Sequence, residues 1–138
     1  GALLIPLITA FLPQNAVHSS IGSIFAPQSP PTGYAEHIGT GLTLRRESSR
    51  ADAQKINSLL PQIIEMQKQY DTLTMPIELV HGDADTIVPA HVHAQVFAAE
   101  VPSANLTLLP GVGHMPQHTN PQQVVDAIDR AASRAGLR

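Results

Sequence analysis

The chain has 138 residues, of which 43% are hydrophobic and 14% charged, a composition typical of a folded domain rather than of a disordered chain. Its formal net charge of −3 and the lack of a basic run argue against a nucleic-acid partner, because phosphate groups would need neutralising cations. The sequence contains no cysteine, which excludes disulfides, thiol catalysis and cysteine-ligated zinc but leaves the cellular compartment open.

The beginning of the chain is apolar and interrupted by proline. Residues 2–12 are too few for a membrane span, which needs roughly 20 apolar residues, so no membrane span is expected. Pro6 and Pro13 interrupt the helical pattern and favour short, broken helices over residues 1–25. Residues 26–33 contain three prolines and predict a stiff, irregular connection.

A weakly helical stretch over residues 34–44 precedes a clear amphipathic pattern. From Ser49 onward, apolar residues recur at a period of 3.6, and Ser49 with Asp52 resembles a capping box at the start of a helix. Pro61 is expected to divide this pattern into two helices, the second beginning at or near the proline. Residues 1–73 are therefore predicted to form a helical region.

Residues 74–138 predict a different, α/β organisation. Residues 76–81 and 105–109 are strand candidates, each closed by a turn that contains glycine. Between them, Pro89 opens a predicted helix that extends to about Glu100. The order strand, helix, strand, helix indicates parallel strands joined by helical crossovers.

The last helix of the chain is predicted from the signals at its ends. Asn120 and Pro121 fit the N-cap and the first helical position, and Gly136 fits the C-cap. The residues expected to face the core recur at helical spacing and are Val124, Val125, Ile128 and Ala132.

Two residues with catalytic chemistry lie just beyond the predicted strands. Asp85 follows the first strand and Gly82, and His114 follows the second strand within the segment 111–114. Sites in parallel sheets form at the carboxyl ends of strands, so the two loops are expected to be neighbours. A histidine titrates near neutral pH and suits a general base, and a carboxylate on its Nδ1 fixes the tautomer and stabilises the imidazolium. The sequence therefore predicts an Asp–His pair of the hydrolytic type.

These two loops resemble the C-terminal end of the α/β-hydrolase family. In that family the acid follows the next-to-last strand in a Gly-x-x-Asp-x-x-x-Pro segment, and Gly82-Asp83-Ala84-Asp85-Thr86-Ile87-Val88-Pro89 matches it. The histidine follows the last strand in a Gly-x-Gly-His segment, and Gly111-Val112-Gly113-His114 matches that. The resemblance covers residues 76–138 and implies that Asp85 is the triad acid and His114 the general base. Residues 1–73 occupy the place of the family's helical cap or lid.

The sequence departs from the family in its nucleophile. The elbow motif Gly-x-Ser-x-Gly, or its aspartate equivalent, is absent, and Ser23 follows Gly22 without the second glycine or a preceding strand. The oxyanion-hole segment and most of the central sheet are missing as well. We therefore expect this chain to be the C-terminal portion of a hydrolase and inactive alone. An N-terminal portion, on a separate or cleaved chain, would supply the nucleophile and the oxyanion hole.

Three functions are compatible with these residues. The leading one is a serine esterase or acyl hydrolase acting on a small, fairly apolar molecule, with Ile87, Val88 and Met115 lining its pocket or packing in the core. The second has an aspartate nucleophile instead of the serine, as in epoxide hydrolases and haloalkane dehalogenases. The third belongs to another class: a non-catalytic pseudo-enzyme or binding module that keeps the fold.

Other polar residues are assigned structural roles. Asp83 competes with Asp85 for the role of the acid but fits the motif spacing less well. His81 ends a strand and is interpreted as a structural histidine. Tyr34 and Tyr70 are expected to pack rather than to bind a substrate.

The sequence predicts no cofactor and no metal site. His91 and His93 lie two residues apart and would point to different faces of a helix. His118 follows His114 by four residues, but Pro116 argues against a helix between them. The sequence offers no third ligand for such a pair.

Overall fold

The computed structural model describes residues 14–39 and 46–137. Within these ranges the helices are α1 (Gln14–Phe25), α2 (Tyr34–His37), α3 (Arg46–Gln67), α4 (Ala94–Glu100), α5 (Pro116–Thr119) and α6 (Pro121–Arg134), and the strands are β1 (Ile77–Gly82) and β2 (Ala104–Leu109). A 3₁₀ turn, Tyr70–Thr72, precedes β1. The described residues divide into two compact units, of which the first contains residues 14–21, 31–39 and 46–68 and the second contains residues 22–30 and 69–137.

The first unit is helical in its described part. α1 begins directly after Pro13, and its last residues belong to the second unit. Short, broken helices are predicted over residues 1–25, and the part of that prediction over residues 1–13 lies outside the described residues. α2 is a single turn within the weakly helical stretch predicted over residues 34–44, of which residues 40–45 lie outside the description.

α3 corrects two predictions about the long amphipathic segment. Ser49 lies inside the helix rather than at its start, because Arg46 and Glu47 before it are good helix formers and no breaker intervenes. Pro61 also lies inside α3 and does not divide it. Proline removes one backbone hydrogen bond, and because this stretch is exposed, water can satisfy the carbonyl that loses its partner.

A two-stranded parallel sheet lies in the second unit and confirms the predicted α/β organisation. β1 and β2 pair in register from Ile77 with Ala104 to Gly82 with Leu109. α4 forms the crossover between the two strands. Both strands therefore end at the same edge of the sheet, and the loops that follow Gly82 and Leu109 leave it side by side.

α4 begins later than predicted. The sequence pattern places a helix from Pro89, whereas the regular helix begins at Ala94. Residues 90–93 form tight turns in which the N–H groups of Val92 and His93 donate to the carbonyl of Pro89. His93 has φ of −117°, which is outside the usual helical range, so the turns become a regular helix only after it.

α6 begins as predicted but has a different buried face. The predicted N-cap and first helical residue are found at Asn120 and Pro121, although the Asn120 side chain makes no capping bond. The C-cap is Ala135, and Gly136, predicted as the C-cap, follows it with a φ of 71°. Val125 and Ile128, both expected in the core, are 47% and 60% exposed, whereas Ala127 is 4% exposed. Within the described residues the sheet has two strands, and the apolar face of α6 extends beyond it.

The core of the second unit includes a residue from far upstream of the sheet. Val101, between α4 and β2, is fully buried, and Phe25 at the end of α1 is almost fully buried as well. Residues 22–30 therefore belong with the sheet, although they precede it by some distance along the chain. In the ranges that the structure describes, no helix is both long and apolar enough to cross a membrane.

Candidate functional site

The carboxylate of Asp85 is held by its own loop. Its Oδ1 accepts hydrogen bonds from the backbone N–H groups of Ile87 and Val88, both at 2.9 Å. An aspartate that bonds the backbone two and three residues ahead stabilises a tight turn, which the chain needs directly after β1. Asp85 is 7% exposed, so these bonds determine where its second oxygen points.

The second oxygen of Asp85 faces His114. Oδ2 lies 2.9 Å from Nδ1 of the imidazole. An ionised carboxylate accepts hydrogen bonds and donates none, so Nδ1 is the donor and Nε2 carries the lone pair of the neutral ring. The side chain of His114 is 32% exposed, and among the described residues Nε2 has no hydrogen-bond partner. The imidazole is therefore oriented as a base.

Two opposing effects act on the pKa of Asp85. Burial raises the pKa, whereas hydrogen bonds from the Val88 N–H, from His114 and from the Ile87 N–H stabilise the ionised form. The bonds outweigh burial, and the pKa of this carboxyl lies below its usual value. Asp85 is therefore ionised at neutral pH and can stabilise a positive charge on His114.

His81 is a second histidine beside the same carboxylate. Its Nε2 lies 2.8 Å from the carbonyl oxygen of Val88 and 3.3 Å from Oδ2 of Asp85. A carbonyl is an acceptor, so Nε2 of His81 carries the proton. The sequence predicts a structural role for His81 but gives no sign that its ring also lies against Asp85.

The loops after β1 and β2 are in backbone contact, and the contact requires glycine. A Cβ on Gly82 would collide with the carbonyl oxygens of Val112 and Gly113. A Cβ on Gly113 would collide with the carbonyl of Ala26, whose carbon lies 2.9 Å from that position. Gly82 and Gly113 therefore let the loop of Asp85, the loop of His114 and the upstream segment pack together.

Asp83 connects the two loops through the backbone. Its Oδ1 accepts a hydrogen bond from the N–H of Gly111 at 2.6 Å, and its own N–H donates to the carbonyl of Leu109 at 3.1 Å. The two aspartates of the motif are thereby distinguished. The imidazole of His114 is bonded to Asp85, whereas Asp83 is bonded to the backbone of the neighbouring loop.

Gln28 is a residue of this site that sequence reasoning missed. Its Nε2 donates to the carbonyl of Gly111 at 2.7 Å, and its Oε1 accepts from the N–H of Gly113 at 2.9 Å. Gln28 lies 85 residues before Gly113 in a proline-rich connection without periodicity. No pattern within a single sequence links two segments so far apart.

A groove of about 400 Å³ lies beside Asp85 on the side of α4. The side chains along it include Asp83, Thr86, Pro89, His91 and Gln95. His114 is not part of this lining. The groove therefore borders Asp85 and not His114.

His118, one of the histidines considered as metal ligands, lies against an aromatic ring. Among the residues that the structure describes, no group of three His, Asp or Glu side chains could hold a metal ion. The ring of His118 lies against Phe25, with 5.9 Å between ring centroids. As predicted, no helix spans His114 to His118: the short helix α5 begins only at Pro116, since proline is well tolerated at a first helical position.

The two tyrosines fall in different units. Tyr70 contacts Phe97 of α4 edge to face, with 5.0 Å between ring centroids. Such a pair contributes to packing between the 3₁₀ turn and α4. Tyr34 is the first residue of α2 in the first unit.

Comparison with known proteins finds relatives without an assigned activity. Three proteins described as uncharacterized, one from Mycobacterium bovis and two from strains of Mycobacterium tuberculosis, are 29% identical to this chain over 65 residues. The match covers 47% of the chain and 19% of each relative. No protein-family profile and no solved structure matches the chain. Function must therefore be inferred from the geometry of the site.

Proposed function

We propose that Asp85 and His114 are the acid and the base of a hydrolase triad, in which a serine hydroxyl attacks an ester or similar acyl bond of a small, fairly apolar molecule. The observation that carries the proposal is the 2.9 Å contact between Oδ2 of Asp85 and Nδ1 of His114. The carboxylate is buried, and its other oxygen is already bonded to two backbone N–H groups. This arrangement fixes the tautomer and orientation of an imidazole and stabilises its charged form, which is what a general base requires.

The proposed reaction assigns a separate task to each residue. Nε2 of His114 takes the proton of the attacking hydroxyl, and the ring becomes positively charged. Ionised Asp85 stabilises that charge across the Nδ1 bond without taking the proton itself. His114 then gives the proton to the leaving alcohol. In the second half of the reaction it activates a water molecule that releases the acyl group.

The serine and the oxyanion hole are proposed to come from outside these 138 residues. The sequence contains no Gly-x-Ser-x-Gly segment, which such hydrolases use to present the nucleophile. The relatives are also much longer than the part that matches, which is 19% of each. An N-terminal portion of the same hydrolase, on a separate or cleaved chain, is therefore the proposed partner.

An α/β-hydrolase fold is part of the proposal. The parallel pairing of β1 with β2 and the position of one polar residue after each strand are what the last two strands of that family require. In the described residues β1 pairs on one side, and an open strand edge can accept a further strand. An apolar groove of about 310 Å³ beside β1, bordered by Val80, Val124 and Ile128, is where the remaining core would pack. Residues 1–73 would supply the helical cap.

The test uses the chain together with any protein that purifies with it. Intact-mass analysis identifies a companion, and a fluorophosphonate probe followed by peptide mapping identifies an activated serine. We expect labelling of one serine on the companion, and we expect His114→Ala to lower ester hydrolysis by at least roughly 10³-fold. His93→Ala is the matched control, because His93 is exposed and its side chain makes no capping bond.

Three outcomes decide between the alternatives. A folded 14.7 kDa chain without a companion that does not react with the probe contradicts the proposal. Hydrolysis that persists in His114→Ala contradicts the assignment of the base. Turnover of an epoxide or a haloalkane that depends on His114, without labelling of a serine, identifies an aspartate nucleophile instead.

A further inference from the structure

The loop that carries His114 is contacted by a segment from the beginning of the second unit. The carbonyl of Ala26 occupies the space where a Cβ of residue 113 would lie. The carboxamide of Gln28 bonds the same loop twice, at Gly111 and at Gly113. Phe25, almost fully buried, lies against the ring of His118 just beyond the loop. Residues 25–28 thus contact the loop before His114 and the short helix α5 after it.

We infer that Gln28 is a positioning residue for His114, an inference that rests on the proposed function of this histidine as the base. Its Nε2 donates to the carbonyl of Gly111 at 2.7 Å, and its Oε1 accepts the N–H of Gly113 at 2.9 Å. We call these two hydrogen bonds the Gln28 clamp. The clamp fixes the backbone three residues before His114, at Gly111, and again at Gly113, the residue directly before it.

The remaining bonds of this loop show why the clamp matters. The N–H of Gly111 is bonded to Asp83, and the carbonyl of Val112 accepts the N–H of Ala84 at 3.0 Å. These bonds connect the loop to the turn after β1 but stop short of Gly113. Gly113 is a glycine, so its backbone has few steric limits of its own. Among the described residues, the side chain that holds the Gly113 N–H is Gln28.

The chemistry of the clamp is specific to a carboxamide, which offers a donor and an acceptor side by side. Gln28→Met keeps the approximate shape of the side chain and removes both bonds. Gln28→Glu keeps an acceptor for the Gly113 N–H but turns a carboxylate oxygen toward the Gly111 carbonyl, where the two acceptors repel. The clamp therefore predicts that Gln28→Met loosens the loop more than Gln28→Glu does, because Gln28→Glu loses only the hydrogen bond to the Gly111 carbonyl.

The experiment compares these two variants with Gln123→Met, a control at an exposed position of α6. NMR measures the exchange of the Gly113 amide hydrogen and the signal of the Nδ1 proton that His114 shares with Asp85. In Gln28→Met we expect the Gly113 amide to exchange about tenfold faster or more, since a hydrogen bond of ordinary strength is lost. We expect the Nδ1 signal to broaden or disappear. The Val88 amide, held by Asp85, should not change. In Gln28→Glu the Gly113 amide should retain most of its protection.

Where ester hydrolysis is measurable, kcat should fall about tenfold in Gln28→Met while KM stays unchanged. The reason is that a more mobile His114 imidazole is less often in the reactive orientation, whereas substrate binding is not affected. Gln123→Met should match the wild type in every measurement. If Gln28→Met does not fold, Gln28→Glu provides the test: the Nδ1 signal should broaden while the Gly113 and Val88 amides keep their protection, and an unchanged Nδ1 signal overturns the inference.

Two results overturn the inference: unchanged Gly113 exchange and an unchanged Nδ1 signal, or an equal acceleration at Gly113, Val88 and the rest of the chain. The second result shows a general loss of stability instead of a positioning role. Neither NMR measurement requires turnover, so the clamp and the hydrolase proposal fail separately. If Gln28→Met loses the Nδ1 signal and the wild-type protein has no esterase activity, the clamp is supported and the hydrolase proposal is not. If the wild-type protein is active and Gln28→Met keeps the signal, the clamp is overturned and the hydrolase proposal is not.

Discussion

At the scale of single residues, the two oxygens of Asp85 have different partners. Oδ1 accepts hydrogen bonds from the N–H groups of Ile87 and Val88, and Oδ2 accepts one from Nδ1 of His114. The first set of bonds forms the turn, and the second orients the imidazole. An amide in place of the carboxylate separates these tasks, because an asparagine oxygen can still accept the two backbone donors.

The Asp85→Asn variant should therefore fold but should not hold the imidazole of His114 in the tautomer that a base requires. With its oxygen bonded to the backbone, the asparagine N–H₂ faces Nδ1 of His114, and the ring moves its proton to Nε2. We expect a loss of roughly 10⁴-fold in kcat for the proposed reaction, and nitrogen NMR should report the changed tautomer. Asp83→Asn is the matched control, since its amide oxygen still accepts the Gly111 N–H. Equal losses in the two variants would contradict the assignment of the acid.

The backbone contact at Gly113 gives a second prediction at this scale. Gly113→Ala forces a Cβ into the carbonyl of Ala26, and we expect a loss of about 3 kcal/mol or more in the free energy of unfolding. Gly22→Ala is the control, because Gly22 lies in α1 and nothing approaches its Cβ position within 4 Å. That substitution should stabilise the helix by about 0.5–1 kcal/mol. Chemical denaturation followed by circular dichroism measures both, and a tolerated Gly113→Ala would show that Gly113 and Ala26 are farther apart.

At the scale of elements, α3 is continuous although it contains a proline. Pro61→Ala returns an N–H to the middle of the helix and removes the clash of the proline ring with the preceding turn. We expect a stronger helical circular dichroism signal and a local gain of up to about 3 kcal/mol. Gln62→Ala, one residue on and equally exposed, should change the signal little. Equal helicity in the two variants would contradict the expected cost of Pro61 within α3.

Element ends that depend on local chemistry could be predicted from the sequence. Pro121 favours the start of α6 because a proline at the first helical position acts within one turn of backbone. Features that depend on what packs against an element could not. Ile128 lies at helical spacing with core residues and is nevertheless exposed, because the two-stranded sheet of the described residues does not extend over it.

The same distinction applies to the candidate site. The proximity of Asp85 and His114 could be predicted, since parallel strands joined by one helix end at a common edge of the sheet. His81 and Gln28 were not expected beside them. The contact of His81 with Asp85 depends on how the turn after β1 folds back, and the clamp of Gln28 depends on tertiary packing of a segment 85 residues from Gly113.

At the scale of the whole second unit, the charged side chains lie at both ends of β1. Near its beginning, the carboxylate of Glu78 is 4% exposed and bonded to Arg134 at 2.7 Å, to Asn105 at 2.9 Å and to Arg130 at 3.1 Å. Arg134 also donates to backbone carbonyls at the start of both strands, at 3.1 and 2.6 Å. The cluster therefore connects α6 with β1 and β2 and supports the register that brings Asp85 beside the histidine loop.

Glu78 and Asp85 make the stability of this unit depend on pH in one direction. Burial raises the pKa of Glu78, but hydrogen bonds from Arg134, Asn105 and Arg130 outweigh it and hold the pKa below its usual value. The pKa of Asp85 is also lowered. Both groups thus bind a proton more weakly in the folded chain than in the unfolded one. The stability they contribute is complete above the unfolded pKa of about 4 and is lost as the pH falls through the lower folded pKa.

We therefore expect the free energy of unfolding to decrease steadily from about pH 5 downward, as measured by urea denaturation at a series of pH values. Glu78→Gln should lower stability at pH 7 by about 1–3 kcal/mol, since bonds to a charged acceptor are weakened, and should make the acid decrease shallower. The shallower decrease follows because one of two carboxyls with a lowered pKa is gone. Glu65→Gln is the control, because Glu65 is 69% exposed and pairs with Lys68 at the surface, where an ion pair contributes little. An acid decrease of the same steepness in Glu78→Gln and Glu65→Gln would contradict the role of Glu78 and leave Asp85 as the carboxyl that makes the unit sensitive to acid.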